Sequence, residues 1–472
     1  MDSTINNQTV FINSQDTPEN LVNDKPKNTK KPYGLTGIVN ATNTTCYMNS
    51  AIQALSHNYP LTNYLFGKKS EILEILKKNA PKILKSNDDF KLQCCTTFVP
   101  LELRRKIHNP SYCSTMLSNE EANIVYNHTI TAQLIKLLEN MWAQNGTVIP
   151  TSFRKVFSEA RDKFFFGYEQ HDAEEAYSCI LQKMQEELSE EKNVKFRTTK
   201  ISVQEFLQFK NNITEKIQAS NDANEKQGLL NIYIEKKKQM PMESLTIEAF
   251  REMKKYYGNS YSRVTEIFSG FLHSRMMCPD KSCGYTSNKF DPFLHLSLEM
   301  PNTIMPTGQS VLIDECIKDF CKEEALDEKN LWYCEGCKNN VRGMKSLRLW
   351  TCPPVLVIQL KRFKQYSSGR VVKDSRLVRY PIEHFDISPM VSPTQLDPSK
   401  CNKYRLQCII NHTGGREGGH YYTYCLDEDT NKWYEFNDMI VIPVKDDRKI
   451  VSSEAYLLFY IREDMITTGN VI

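Results

Sequence analysis

Three stretches of this 472-residue chain carry side chains that can do chemistry. The first is Cys46, which opens the segment 46–58 (CYMNSAIQALSHN). Met48, Ala51, Ile52 and Leu55 recur there at helical spacing, and Asn43, Thr44 or Thr45 offers a cap just before them. Cys46 is therefore expected in the first turn of a helix. Free N–H groups and the positive end of the helix dipole stabilise a thiolate at such a place, and the thiolate is the form that attacks a carbonyl carbon. The oxyanion so formed needs donors. The backbone N–H of Cys46 is one, and the side chain of Asn40 or of Asn43 is the other. Taken alone, a cysteine in this position is as well explained as a small buried residue.

The second stretch is 420–437. His420-Tyr-Tyr-Thr-Tyr-Cys425 reads as a strand, the segment 426–431 as a turn, and Lys432-Trp-Tyr-Glu-Phe436 as the returning strand. A turn centred between Glu428 and Asp429 sets His420 opposite Asn437. A carboxamide oxygen in that place accepts from one imidazole nitrogen and leaves the other free to act as base. Asp438, the next residue, can assist or substitute. Four glycines in 414–419 (GGREGG) make a loop beside His420 that allows a substrate backbone to come close. A histidine at a strand start is ordinarily structural, and His57 and His384 are read that way. His420 differs in having a hairpin partner, a glycine loop and a thiol to serve.

The third is a set of two cysteine pairs, Cys278/Cys283 and Cys334/Cys337. If β segments bring them together, four thiolates suit a tetrahedral structural zinc. The plain alternative is four reduced thiols without metal.

The elements that must position these residues divide the chain. Residues 1–32 are polar and aperiodic and are expected to be a disordered tail. A helical region spans 33–191, with patterns at 46–58, 70–79, 129–142 and 170–190, while 80–128 reads as irregular around Cys94-Cys95. Residues 192–260 form a charged, largely helical insertion. A cysteine-paired β region covers 261–350 and includes the strand pattern at 293–300, and a β region over 351–465 carries strand patterns at 355–363, 404–413, 420–426 and 456–461. Helices first and strands later predict an α+β fold.

Composition excludes several classes. Sixty Lys and Arg balance 57 Asp and Glu, so the net charge of +3 gives no reason to invoke nucleic acid or an anionic membrane. No apolar run reaches the ~20 residues needed to cross a bilayer, and the first residues lack the apolar core of a secretory signal. Fifteen cysteines, an odd number, without an export signal suit a reduced, intracellular setting, cytoplasmic or nuclear. No zinc-hydrolase motif is present. A monomer is expected.

Several segments together resemble the ubiquitin-specific proteases. Thr36-Gly37-Ile38-Val39-Asn40 with Thr45-Cys46-Tyr47-Met48-Asn49-Ser50 is similar to the family's Cys box, and Gly419-His420-Tyr421-Tyr422 to its His box. Trp433-Tyr434-Glu435-Phe436-Asn437-Asp438 resembles the segment of the third catalytic residue. Gln170-His171-Asp172-Ala173-Glu174-Glu175 resembles the intermediate box, and Ile358–Phe363 and Ala455–Tyr460 the late strands. The matches keep the family's order from about 33 to 461.

The resemblance implies a papain-like fold of fingers, palm and thumb. It implies cleavage of isopeptide or peptide bonds after the C-terminal Gly-Gly of ubiquitin, with ubiquitin and ubiquitinated proteins as partners. Cys46 would be the nucleophile, His420 the base and acid, Asn437 its orienter, and Asn40 the oxyanion donor. Gln170, Asp172 and Glu175 would meet the ubiquitin tail, unless they are only a solvated helix face. The cysteine pairs fall where the family's fingers hold zinc. Two departures stand out. One extra residue separates Asn40 from Cys46, with Thr42 in the place of the family's glycine, and Ala176 stands where Phe is usual. A ubiquitin-gripping pseudoenzyme and a protease for a ubiquitin-like modifier are the competing readings; the presence of all three catalytic residues favours activity.

Overall fold

The computed structural model describes residues 9–13, 34–40, 42–86, 99–109, 111–112, 117–163, 165, 169–301, 310–365, 369–394, 402–415 and 418–466. An eight-stranded sheet in its C-terminal half organises the site. Its order runs Ile440–Pro443, Lys432–Asn437, Gly419–Asp427, Lys403–Gly414, Ala455–Arg462, Val355–Lys361, Leu296–Glu299, and Phe385–Asp386 pairs beside Lys403–Gly414. All neighbours are antiparallel except Val355–Lys361 with Leu296–Glu299.

Both faces of the sheet are covered, which accounts for unbroken apolar runs such as Val355–Ile358 and Tyr456–Ile461 in place of alternation. One face packs on the helices Cys46–Ser56, Ile130–Ala143 and Ala173–Glu187. The other packs on Ile313–Phe320 and the loops around Tyr380, Ile387 and Ile450. The Cys46–Ser56 helix is sandwiched so completely that all eleven of its residues are buried, polar ones included. Its buried amides are used as ties: Gln53 Nε2 donates to Thr36 O at 2.8 Å, and Thr423 Oγ1 donates to Ser50 O at 3.2 Å.

Away from this body a second sheet runs Thr286–Phe293, Gly270–Met277, Met344–Thr351, Glu324–Ala325, and the hairpin Trp332–Cys334/Asn339–Val341 lies near its end. The helices Ile201–Ala219, Ala223–Gln239 and Pro241–Ser260 precede it. Together the mixture of helices and sheets is the expected α+β class.

Local differences from the sequence pattern have physical reasons. The segment 293–300 is two strands, split after Phe293. The run 355–363 breaks at Arg362, whose side chain is fully buried and donates to Ala455 O (2.6 Å), Arg376 O (2.8 Å) and Asp374 O (3.0 Å). Among its described residues the stretch 80–128 takes in the end of the helix Lys69–Ser86 and the helices Leu101–His108 and Asn119–Tyr126, the last opening with a capping box between Ser118 and Glu121. Cys94 and Cys95 lie outside the described residues. Within the tail expected to be disordered, Thr9–Asn13 is a strand paired in parallel with Asn193–Arg197, in keeping with the β-forming run TVFIN; the remainder of 1–32 also lies outside the described residues.

Candidate active site

Cys46 is the first residue of its helix, with Thr45 as N-cap, as expected. The cap is not a side-chain cap of its own: Thr45 donates its N–H (3.1 Å) and its hydroxyl (2.9 Å) to Asn40 Oδ1. Asn40 thus reaches over the extra residue in the loop and fixes the helix start. The left-handed position of that loop is Asn43 (φ 56°), exposed at the bend, and not Thr42. Asparagine tolerates this conformation better than other non-glycine residues, so the missing glycine is replaced functionally one position further on.

The His420 hairpin forms in a register two residues away from the expected one. Thr423 faces Phe436 and Asp427 faces Lys432, so the tip lies between Asp429 and Thr430. The Asp427 carboxylate draws the turn onward by accepting from Thr430 N (3.2 Å) and from the Thr430 hydroxyl, and Asn431 takes a left-handed φ of 51°. His420 and Asn437 are consequently diagonal, not opposed. Their side chains still meet, with His420 Nε2 2.7 Å from Asn437 Oδ1. The Cys46 side chain is the largest influence on His420 and pushes its imidazole up to about 9, opposed by burial and helped by Asn437 and Asp438.

Asp438 stitches the two halves. It is the first residue of a two-residue turn between Asn437 and Ile440, with φ 49°. Its carboxylate accepts from Asn49 Nδ2 on the Cys46 helix (2.8 Å) and from Asn40 Nδ2 (3.1 Å), and its backbone carbonyl accepts from Ile38 N (2.8 Å). One carboxylate oxygen is 4.0 Å from His420 Nε2. A side chain on Gly37 would put its Cβ 2.4 Å from Met439 O, so glycine alone permits this close seat of the turn. Hence the same aspartate that follows the imidazole's partner also fixes the loop and helix that carry the thiol.

Glycines shape the floor beside the histidine. Gly414 has φ 80°, and a Cβ on Gly419 would come within 2.2 Å of His412 Nε2. Lys373 Nζ holds the base of this loop by donating to His412 O (2.6 Å) and Gly414 O (3.1 Å). Burial, with Lys373 and His420 adding to it, pushes His412 down to about 4. At neutral pH His412 is a neutral packing ring beside a charged His420.

These features coincide with a family match. Residues 36–460 fit the family Ubiquitin carboxyl-terminal hydrolase. The Probable ubiquitin carboxyl-terminal hydrolase of Acanthamoeba polyphaga mimivirus is 50% identical over 459 residues, 97% of both chains. The chain belongs to the ubiquitin carboxyl-terminal hydrolase family. This is a family of deubiquitinating cysteine peptidases. Human ubiquitin carboxyl-terminal hydrolase 2 is 28% identical over 92% of this chain, which spans 56% of that relative's length. Among solved structures, the SAGA Ubp8/Sgf11/Sus1/Sgf73 DUB module bound to ubiquitin aldehyde has the same fold, with a TM-score of 0.54 at 19% identity, covering 93% of this chain and 72% of the other.

The other residues singled out in this ubiquitin carboxyl-terminal hydrolase chain lie in two places. Asp172 caps the Ala173–Glu187 helix: Oδ1 accepts from Glu174 N at 2.7 Å and Oδ2 from Tyr456 OH at 2.6 Å. Burial lifts this carboxyl to about 6 against those hydrogen bonds. Asp172 is thereby an architectural residue first, while Gln170 is exposed and Glu175 half-buried at the same helix start. The four cysteines converge beside the second sheet, with all four Sγ atoms within 4.8 Å of one another. Sγ–Sγ separations are 3.7 Å for Cys283–Cys334 and 3.9 Å for Cys278–Cys337. A tetrahedral zinc with ~2.3 Å bonds to sulfur requires roughly 3.8 Å between sulfurs, so the donor set fits. His57 is buried with Nδ1 on Gln53 O at 3.0 Å, and His384 pairs with Glu463 at 2.7 Å; both are structural.

Sequence reasoning passed over Asn49, Lys373 and Tyr456. Asn49 carried a signal, a polar residue one turn after Cys46 on a helix too apolar to need it. Lys373 and Tyr456 carried none, since their partners are supplied by other strands.

Proposed function

We propose that the chain is a thiol hydrolase that cleaves the isopeptide or peptide bond after the C-terminal Gly-Gly of ubiquitin. The single observation that carries this reading is His420, held at 2.7 Å by Asn437 and with the Cys46 side chain as the largest influence raising its imidazole. Attack requires the thiolate form of Cys46, with His420 as the group that takes and holds the proton. The Cys46 sulfur attacks the carbonyl carbon of the terminal glycine, and the oxyanion is received by the Cys46 N–H and by the second hydrogen of the Asn40 amide, whose first is held by Asp438. His420 then gives its proton to the departing lysine amine, leaving a thioester. A water loses a proton to His420, its oxygen attacks the thioester carbon, and the thiolate leaves. Asn437 keeps the imidazole in plane throughout, and Asp438 supports the imidazolium from 4.0 Å. Glycine-only passage is favoured by the Gly414–Gly419 loop and its tight packing on His412.

Gln170 and Glu175 are the surface groups at the Asp172 helix start suited to the basic ubiquitin tail, with Asp172 holding that start in place. Cys278, Cys283, Cys334 and Cys337 would hold a structural zinc, which supplies cross-linking to the hairpins and takes no part in the reaction.

Ubiquitin bearing a C-terminal electrophile tests the reading. A covalent adduct on the wild type and none on Cys46→Ala is expected. An adduct that persists on Cys46→Ala, or a wild type that forms none, overturns it. Protein purified without added zinc should contain one zinc per chain; a stably folded, metal-free preparation would remove the zinc assignment.

A further inference from the structure

The strand that closes the sheet beside the reactive centre is apolar and uncovered. Ile440 is 56% exposed, Ile442 47% and Met439 51%. They follow Asp438 directly. In the register of this last hairpin, Ile440 is the cross-strand partner of Asn437 and Ile442 that of Glu435, so both isoleucines share a sheet face with Asn437. Val441, between them, turns to the core.

A fourth exposed residue joins the group through backbone geometry. Ile38 N donates to Asp438 O at 2.8 Å, and Val39 N donates to Val148 O at 2.9 Å. Three chain segments therefore lie side by side here. Met439 lies against Gly37 on one edge of the Thr36–Ile38 strand, and Ile149, which follows Val148, lies beside Val39 on the other edge. Ile149 is 66% exposed. Four large apolar side chains thus border the Asn40 loop and the Asp438 turn. Single exposed apolar residues need no explanation, but a group around one edge of a reactive centre does.

The order of strands says which part of a substrate meets this edge. The strand of Tyr456, which is tied to Asp172 and the acidic helix start, lies two strands to one side of the His420 strand. The Asn437 strand and then the Ile440–Ile442 strand lie on the other side. A scissile bond held at Cys46 and His420 has its acyl half on one side and its amine half on the other. With the acyl tail assigned to the Gln170–Glu175 side, the amine half leaves over the isoleucine edge.

We infer that Ile149, Met439, Ile440 and Ile442 form the docking surface for the protein on the amine side of the cleaved bond, through apolar contact around its modified lysine. This inference rests on the hydrolase reading above and adds to it a specificity surface for the leaving protein. Such a surface lowers KM for folded conjugates and does nothing for a substrate whose leaving group is a small dye.

The experiment compares ubiquitin–aminomethylcoumarin with two isopeptide-linked diubiquitins, joined through different lysines of the ubiquitin on the amine side. The variant is Ile149→Ser/Ile440→Thr/Ile442→Thr, in which threonine keeps the β-branched shape of the strand. The coumarin kcat/KM should stay within about twofold, while that for at least one diubiquitin falls at least roughly tenfold, chiefly through KM. Unchanged diubiquitin cleavage overturns the inference. An equal loss on both substrate types also overturns it, since the effect would then lie on the acyl side or in folding. A wild type that turns over the coumarin substrate but neither diubiquitin overturns it as well. A wild type inert on the coumarin substrate instead removes the hydrolase reading, and the inference with it.

Discussion

The reactive centre and the four-cysteine cluster are each a small constellation of side chains, but they are held by different forces. Cys46 and His420 come from opposite ends of the chain and meet because a wholly buried helix is pressed onto a sheet covered on both faces. Removing one reacting atom leaves that packing intact. The cysteines sit at hairpin tips, with Cys337 exposed and Cys278 and Cys283 half-buried. Cys334 is buried, and near it in sequence Trp332 stacks on Tyr285 with ring centroids 6.0 Å apart. There is little apolar burial to hold such a tip, and the proposed zinc would supply what packing does not; in small zinc domains that amounts to on the order of 10 kcal/mol. The first site spends none of its stability on its function, whereas the second consists of little else.

The sharpest way to break this contrast is to remove one thiol from each. Cys46→Ala should lower turnover by at least about 10⁴-fold while moving Tm by less than about 2 °C. Cys334→Ala should release the metal and melt the knuckle, read as zinc content near zero and new protease cleavage within 278–341, with a smaller activity loss. Equal Tm changes for the two variants would erase the distinction.

Next in size is Asn437→Ala, expected to slow kcat by on the order of 10²-fold. It also carries a signature in pH. The Cys46 side chain and then Asn437 raise His420 to about 9. The histidine holds its proton more tightly folded than unfolded, so this pairing stabilises the fold fully below the ordinary value near 6.5 and the contribution is lost as pH rises through about 9. Activity needs the same proton for the leaving amine and should fall on the alkaline side near that value. Asn437→Ala removes one of the groups that raise it, so the alkaline limb should move to lower pH. A limb that stays in place would show that Asn437 only packs.

How much of this was legible in the sequence divides along the same line. The cysteine pairs are local in sequence and their spacing names their chemistry. Cys46 at a helix start and His420 near Asn437 were also legible, because helical periodicity and strand alternation are short-range signals. The hairpin register was not: Asp427 could cap the turn or merely occupy it, and its bonds to Thr430 moved the tip by one residue and the pairing by two. The central place of Asp438 was hidden for another reason. Its partners Asn40, Asn49 and Ile38 lie near the other end of the chain, and no spacing rule connects them. The capping box at Ser118 and Glu121 is a pattern that the reading of 80–128 as irregular passed over.

The loop that departs from the family pattern sets a large effect at Asn40 against the smallest one, at Asn43. Asn40 ties Thr45 to Asp438, whereas Asn43 is exposed at the bend with φ 56°. Asn40→Ala should therefore lose the oxyanion donor and part of the helix cap together, lowering kcat by about 10²-fold or more. Asn43→Ala places a side chain without a local hydrogen-bonding group in a left-handed conformation, at a cost of about 1 kcal/mol. It should change stability slightly and turnover hardly at all, and Asn43→Gly should be neutral or slightly stabilising. Measured kcat for the three variants decides the matter. If Asn43→Ala slows turnover more than Asn40→Ala, the extra residue has handed the donor role to the bend, and the buried centre depends on an exposed loop after all.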